Sequence, residues 1–414
     1  MAGKKAKVLY ISYDGMIDPL GQSQVIPYLQ GLSKSGYGIT LMSFEKSERF
    51  ENHRTEIGAL LQRSNIKWVP LSYTKSPQVL STLYDIWRMK KTAVRLHRVH
   101  SFNIVHCRSY IAAFAGLMMK KNFGTKFLFD MRGFYADERV DGGIWNRSNF
   151  LFNAIYGFFK QKEKDFLSRA DYVVSLTHKA KSVIHTWHHI PNQPIPIAVI
   201  PCCADLDFFS PANVDEQRKI ELQKRLELTG SEFVLSYLGS VGTWYMLDEM
   251  LDFFKCLLAR KPNSKFLFIT TDNPGNIIQR ALAKGISPHS VIVTPSNRND
   301  LPTYLSFSTW SIFFIKPVFS KSASSPTKQG ELMGMGISHV CNTGVGDVDE
   351  IVSRNGVGLS VHDFTEEEYN RVIDQMLQDP EVNTGAIVKA AREVYSLQSG
   401  VLAYQNIYRQ LTAK

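Results

Sequence analysis

Short runs of β-branched and aromatic residues alternate with longer helical stretches along this chain, and the alternation starts again halfway. Lys7–Ser12, Ile39–Phe44, Lys67–Leu71, Ile104–Cys107, Lys126–Met131, Tyr172–Leu176 and Ile197–Ile200 read as strands. Residues 23–34, 80–99 and 111–121 between them read as helices. After Pro211 the pattern resumes with strands at Phe233–Leu238, Lys265–Thr270, Val291–Val293, Trp310–Ile315 and His339–Asn342. Helices are expected at 247–258 and from about Pro326. Strands separated by helices must run parallel, so the chain reads as two doubly wound α/β halves in tandem. The 414 residues suit two domains of about 200 residues each. The expected division is 1–202, 203–396 and a C-terminal helix, 397–414, that packs back on the first domain. The final helix, about 385–411, is expected to kink near Leu397-Gln398-Ser399-Gly400.

Charge divides along the same line. Residues 1–200 carry 28 Lys and Arg against 14 Asp and Glu, whereas residues 201–414 carry 20 against 24. A basic first half calls for an anionic partner: lipid head groups, a phosphorylated substrate or nucleic acid. No helix-turn-helix, zinc-finger or RNA-binding aromatic pattern supports nucleic acid, and none is expected as a partner. The segment 80–99 concentrates Arg88, Lys90, Lys91, Arg95 and Arg98 with Leu83, Ile86, Trp87 and Val94. It reads as an interfacial amphipathic helix on an anionic membrane surface. The five cysteines show no CxxC spacing, and Cys202 and Cys203 are adjacent. That fits a reducing compartment rather than a disulfide framework or zinc site. The basic start is followed by an apolar run too short for a signal peptide, and no apolar stretch is long enough to span a bilayer. A cytoplasmic protein, peripheral on the inner membrane face, is the expectation.

The loops carry the chemistry. In Ser324-Ser325-Pro326-Thr327-Lys328-Gln329-Gly330-Glu331, Ser325 is a good N-cap and Pro326 suits the first helical position. The free N–H groups of Ser324, Ser325 and Thr327 would form an anion site fit for a diphosphate. Lys328 adds charge one turn in, and Glu331 can accept two ribose hydroxyls. As an ordinary surface helix, the same stretch would leave Lys328 and Glu331 in solvent. Gly21-Gln22-Ser23 follows the first strand and is expected to bring backbone close to a ligand, although a simple strand-to-helix turn has the same spelling. Arg132 to Glu138 clusters Arg132, Asp137 and Glu138 at a strand end. These are candidate catalytic groups, unless they are only a salt-bridged loop. His106-Cys107-Arg108-Ser109 also ends a strand and is expected to face a cleft, with a packed His106 favoured over ligand contact.

The stretch from Ser324, with Asn342-Thr343-Gly344-Val345-Gly346-Asp347-Val348-Asp349-Glu350 after it, resembles the donor-site signature of family-4 glycosyltransferases, the large retaining family of the GT-B fold. The resemblance spans nearly the whole chain. It includes Asp18-Pro19-Leu20-Gly21-Gln22, Phe129-Asp130-Met131-Arg132-Gly133, Ala170-Asp171-Tyr172, Ile200-Pro201-Cys202-Cys203-Ala204-Asp205 and Tyr237-Leu238-Gly239-Ser240. It implies two facing Rossmann-like domains around a cleft. It further implies a nucleoside-diphosphate-sugar donor and a saccharide or lipid-diphosphate-linked acceptor, as in polysaccharide or glycoconjugate assembly. Glu331 matches the glutamate that holds the donor ribose. The family's other glutamate falls at Ala323. Its phosphate-binding Arg and Lys fall near Ser240 and Met246, and its usual His near Arg132. Lys321 and Lys328 are the candidate replacements for the missing charges. The resemblance implies a metal-independent hexosyltransferase without a resident cofactor, and Asp347-Val348-Asp349 matches a structural segment rather than a metal motif. These departures keep two alternatives open: a non-catalytic sugar-nucleotide-binding partner in a glycan-assembly complex, and a sugar-nucleotide epimerase.

Overall fold

In the computed structural model, which describes residues 6–77, 79–378 and 383–413, every strand is parallel to its sheet neighbours. The basic residues at the extreme N-terminus, 1–5, and the last residue lie outside the described residues. Contacts divide the chain into two units. One runs to Pro201 and takes up the chain again from Leu397; the other is Cys202–Ser396.

The first unit holds seven strands: β1 Lys7–Ser12, β2 Gly38–Glu45, β3 Lys67–Ser72, β4 Ile104–Arg108, β5 Lys126–Asp130, β6 Tyr172–Ser175 and β7 Ile197–Val199. Their order is β3-β2-β1-β4-β5-β6-β7. β4 is buried along its whole length, as expected of a central parallel strand covered by helices on both faces. Gly116 lets the Ser109–Phe123 helix lie close to the sheet: a β-carbon there would fall 2.4 Å from the Phe127 ring and 2.7 Å from Cys107 Sγ. The Leu397–Thr412 helix packs on the Ile26–Lys34 helix through Val401, Tyr404, Ile407, Tyr408 and Leu411.

The second unit holds β8 Phe233–Leu238, β9 Ser264–Ile269, β10 Val291–Thr294, β11 Trp310–Phe313, β12 His339–Asn342 and β13 Gly358–Val361, in the order β10-β9-β8-β11-β12-β13. Its core is rich in aromatic rings, among them Phe253, Phe254, Phe266 and Phe268. The expected two-domain α/β architecture of Rossmann type is therefore present. Three local points refine it. The terminal helical region breaks at Ser396, directly before the expected Leu397–Gly400 stretch, because the extended Ser396 backbone bridges Ala204; Gly400 itself lies buried within the Leu397–Thr412 helix. β11 ends at Phe313, and the expected Ile315 leaves the sheet to bridge Tyr245. Helices at Ser47–Arg63 and Phe150–Arg169 lie where the strand pattern marks no element.

Candidate functional site

In an open parallel sheet, ligands bind outside the carboxyl ends of the strands, at the point where strand order reverses. In the second unit that point lies between β8 and β11. β8 ends in Gly239, whose φ of +107° favours glycine. A β-carbon on Gly239 would lie 3.6 Å from Lys328 Nζ, so the turn rests against that lysine. Ser240 follows, with its hydroxyl committed to the Asp272 carboxylate at 2.9 Å. The same carboxylate accepts the Val241 N–H, folding the turn back on itself. Beyond β11, the Asn342 side chain brackets Ile315, accepting its N–H at 2.8 Å and donating to its carbonyl at 2.9 Å. That holds the segment leading to Lys321 and Lys328.

Lys328 is buried near the start of the Thr327–Gly334 helix. Its ammonium lies 3.5 Å from the centre of the Tyr245 ring and 4.1 Å from that of Tyr237, and donates to the Tyr237 hydroxyl at 3.0 Å. Such cation–π contacts contribute about 2 kcal/mol each at best when desolvated. Burial nevertheless holds the amine well below the ordinary lysine range, with the Glu331 carboxylate pulling the other way. Lys321 is also buried and lies 3.6 Å from the centre of the Trp244 ring. Glu331 is half-buried one turn further along the helix. Burial pushes its carboxyl up to about 7, against the pull of Lys328 and Arg298. Its carboxylate accepts no hydrogen bond among the described residues, which leaves it open to hydroxyl donors.

The expected capping by Ser325 is corrected. The helix starts at Thr327, Pro326 flanks it in extended conformation, and no side chain caps it. Ser325 Oγ instead accepts the Cys202 N–H at 3.1 Å, tying the linker cysteines to this loop. All five cysteines are free. The uncapped first turn keeps its N–H groups available to an anion, with Ser324 and Thr327 partly exposed beside it. Ala323, where the resemblance places a carboxylate, is buried.

In the first unit, Gly21 and Gln22 stand in a short helix, Pro19–Gln24, rather than in a loop. Gly21 is required by backbone crowding: a β-carbon would fall 2.2 Å from the Gly15 carbonyl oxygen. Gln22 donates to the Ile17 carbonyl at 2.9 Å. Buried Glu45 accepts the Met16 N–H at 2.9 Å, fixing the turn after β1. Asp137 is engaged by Tyr156 at 2.8 Å and Lys160 at 2.9 Å, so the salt-bridged alternative describes it. Glu138 is half-buried beside it on the Tyr135–Asp141 helix. Arg132 lies just past the end of β5, before that helix. It turns to Asp130, with a nitrogen–oxygen distance of 3.8 Å. His106 is packed as expected, under Tyr10, Tyr404 and Tyr408. The structure thus gathers Gly239, Lys321, Lys328 and Glu331 in one unit, and Arg132 with Asp130 in the other. Arg108, in the His106-Cys107-Arg108-Ser109 stretch expected at a strand end, closes β4 and faces Asp14 and Asp130.

Residues 24–208 match the family model Glycosyltransferase Family 4. No curated protein matches the sequence. Among solved structures, a glycosyltransferase from Rickettsia africae superposes with a TM-score of 0.71 at 14% identity, over 98% of each chain. A sucrose-phosphate synthase from Thermosynechococcus elongatus gives 0.69 at 14% identity, over 98% of this chain and 99% of its own. Anabaena HepE, solved with UDP-glucose, gives 0.68 at 12% identity, over 98% of this chain and 100% of its own. At these identities the likeness is one of fold, and it agrees with the tandem Rossmann-like architecture read from the sequence.

Glu331 makes a prediction about the unliganded protein. Its carboxyl titrates near 7 in the fold against an ordinary 4.5, so folding favours the protonated form. That contribution is complete below pH of about 4.5 and is lost as pH rises through about 7. Denaturation midpoints of Glu331→Gln should therefore fall less steeply than wild type between pH about 5 and 8. Identical slopes would show that Glu331 carries no such shift.

Proposed function

We propose that this protein is a retaining glycosyltransferase. It moves a hexose-type sugar from a nucleoside-diphosphate sugar to a saccharide or lipid-diphosphate-linked acceptor, in polysaccharide or glycoconjugate assembly. The observation that carries the reading is the placement of Lys328 and Glu331 on one uncapped helix start, against the Gly239 turn, at the switch point of the second unit. The family match over residues 24–208 and the fold shared with HepE, solved with UDP-glucose, support it.

In this reading the diphosphate lies at the first turn of the Thr327–Gly334 helix, with Ser324 and Thr327 beside it. A diphosphate there favours the protonated form of Lys328 that burial disfavours, and the ammonium stabilises charge on the leaving phosphate. Lys321 supplies a second positive charge. Together they stand in for the Arg and Lys that the resemblance places near Ser240 and Met246. Glu331 accepts the ribose hydroxyls. The acceptor hydroxyl attacks from the face that the nucleotide leaves, and the departing phosphate takes its proton. That step needs no strong protein base, which fits an Asp137 already neutralised by Lys160. Glu138 is the acceptor-side carboxylate of the proposal. Neither a metal ion nor a resident cofactor has a part in it.

The acceptor side is proposed to act on the inner face of an anionic membrane. No described helix is long and apolar enough to cross a membrane. Leu80, Leu83, Tyr84 and Trp87 are nevertheless exposed along one face of the Leu80–His100 helix. Arg88 lies over Tyr84 at 5.5 Å and Lys91 over Trp87 at 5.1 Å. Ile86, expected on that face, is buried in the core instead. Aromatic side chains rimmed by cations suit the headgroup layer.

Two measurements follow. Thermal shifts with UDP, GDP, ADP and their sugars should show one nucleotide class stabilising the chain regardless of EDTA, by about 2.7 kcal/mol at 100 times its dissociation constant. Glu331→Ala should lose most of that shift and all sugar transfer. Binding that survives without any transfer in wild type would favour the non-catalytic partner. In sedimentation with vesicles, the protein should pellet with phosphatidylglycerol-containing but not neutral membranes. Trp87→Ala with Lys91→Ala should weaken this, and equal pelleting of the double variant would exclude the Leu80–His100 helix as the contact.

A further inference from the structure

The first unit has its own switch point, between β1 and β4. The register sets Ser12, Arg108 and Asp130 side by side across the carboxyl ends of β1, β4 and β5. The Arg108 side chain is only 4% exposed. Its fork has five N–H donors. The Tyr10 phenol lies against it, and its Nε reaches Asp14 Oδ2 at a long 3.4 Å, while Asp14 itself is 43% exposed. The contact with Asp14 is thus long and reaches a partner open to solvent.

Arg132 brings a second guanidinium to the same strand ends. Beneath them Asp130 accepts the Tyr404 hydroxyl at 2.9 Å. Burial would raise the Asp130 carboxyl, but Arg132, His106 and Arg108 together hold it at about 2. Burial pushes His106 towards neutrality. One fixed carboxylate therefore faces two guanidiniums, and the exposed Asp14 pairs with that of Arg108. Two buried atoms in the cluster, His106 Nε2 and Asp130 Oδ1, have no hydrogen-bond partner.

The backbone shows the same concentration. Ser109, directly after Arg108, has φ +66°, and Arg132 itself has φ +60°. Non-glycine residues in this region are strained and gather at functional sites. Ser109 also opens the Ser109–Phe123 helix, whose first turn no side chain caps.

We propose that Arg108 and Arg132, with the start of the Ser109–Phe123 helix, bind an oxyanion carried by the acceptor, a phosphate or a carboxylate. Asp14 occupies Arg108 until that group arrives. The assignment rests on the transferase reading for the word acceptor; the oxyanion site itself stands on the first unit alone. A bidentate guanidinium contact gives such a site preference for planar or tetrahedral oxyanions over neutral sugars.

Calorimetry on the full chain tests it with four probes: glucose 6-phosphate, glucuronate, farnesyl diphosphate and neutral glucose. At least one anionic probe should bind, and glucose should not. Binding of the phosphate monoester or glucuronate points to a soluble anionic saccharide; binding of farnesyl diphosphate alone points to a lipid-linked acceptor. Arg108→Gln should weaken that binding about tenfold or more. Lys328→Met should leave it intact, which separates it from the nucleotide site. Because Arg108 is buried, Asp14→Asn provides the surface test: removing the competing carboxylate should tighten binding about threefold. Anionic probes that bind Arg108→Gln as well as wild type, or that bind neither while UDP binds wild type, overturn the proposal. Loss of UDP binding alone, with Arg108-dependent anion binding retained, strikes the transferase reading and leaves the oxyanion site standing.

Discussion

Both sheets are parallel throughout, and that single constraint decides where the chemistry of each unit can lie. Parallel strands send all their carboxyl ends to one edge, and the loops there are the only irregular backbone near the sheet centre. Charged side chains placed on those loops are pulled partly into the fold by the neighbouring helices. In the second unit this draws Lys328 between Tyr237 and Tyr245, with Glu331 behind it. In the first it draws Arg108 and Arg132 over Asp130. Each arrangement holds cationic side chains, largely buried, at the carboxyl ends of the strands, and this is the common physical ground for both site assignments.

The two units solve the problem differently. The lysine is caged by rings and its basicity is lowered by burial, so an arriving anion shifts the amine back towards its protonated form. The arginines cannot lose a proton in the accessible range. They are instead balanced by one deep carboxylate and one exposed one. A site of the first kind should respond to pH and a site of the second kind to competing carboxylates. The absent cations near Ser240 and Met246 also find an explanation in the fold. The turn that would have carried one is pinned by Asp272, and Lys328 approaches the same turn from the neighbouring helix.

Much of the architecture was legible because buried parallel strands are short apolar runs that alternate with helices. The runs at Lys7–Ser12, Phe233–Leu238 and His339–Asn342 coincide with β1, β8 and β12. The candidate site was legible in part. Lys321, Lys328 and Glu331 could be picked from one stretch, but their surroundings could not. Tyr237 and Tyr245 come from a distant part of the chain, and only the folded β8 turn brings them to Lys328. Gly21 was legible only as a glycine: the sequence does not show that it is crowded by the Gly15 carbonyl within a helix. Ser325 precedes a helix and a proline, the usual setting of a cap, yet the Cys202 N–H competes for its hydroxyl. The strand end at His106-Cys107-Arg108-Ser109 was legible, but the register of Arg108 with Ser12 and Asp130 was not, because no local pattern encodes it.

The central claim is that the buried amine of Lys328 is the seat of the donor diphosphate. Proton exchange on binding tests it most directly. The stabilising nucleotide would be titrated calorimetrically at pH of about 8 in two buffers of different ionisation enthalpy. The account predicts net proton uptake, up to about one per nucleotide, in wild type and none in Lys328→Met. Binding without proton uptake, or uptake that persists in Lys328→Met, would contradict it.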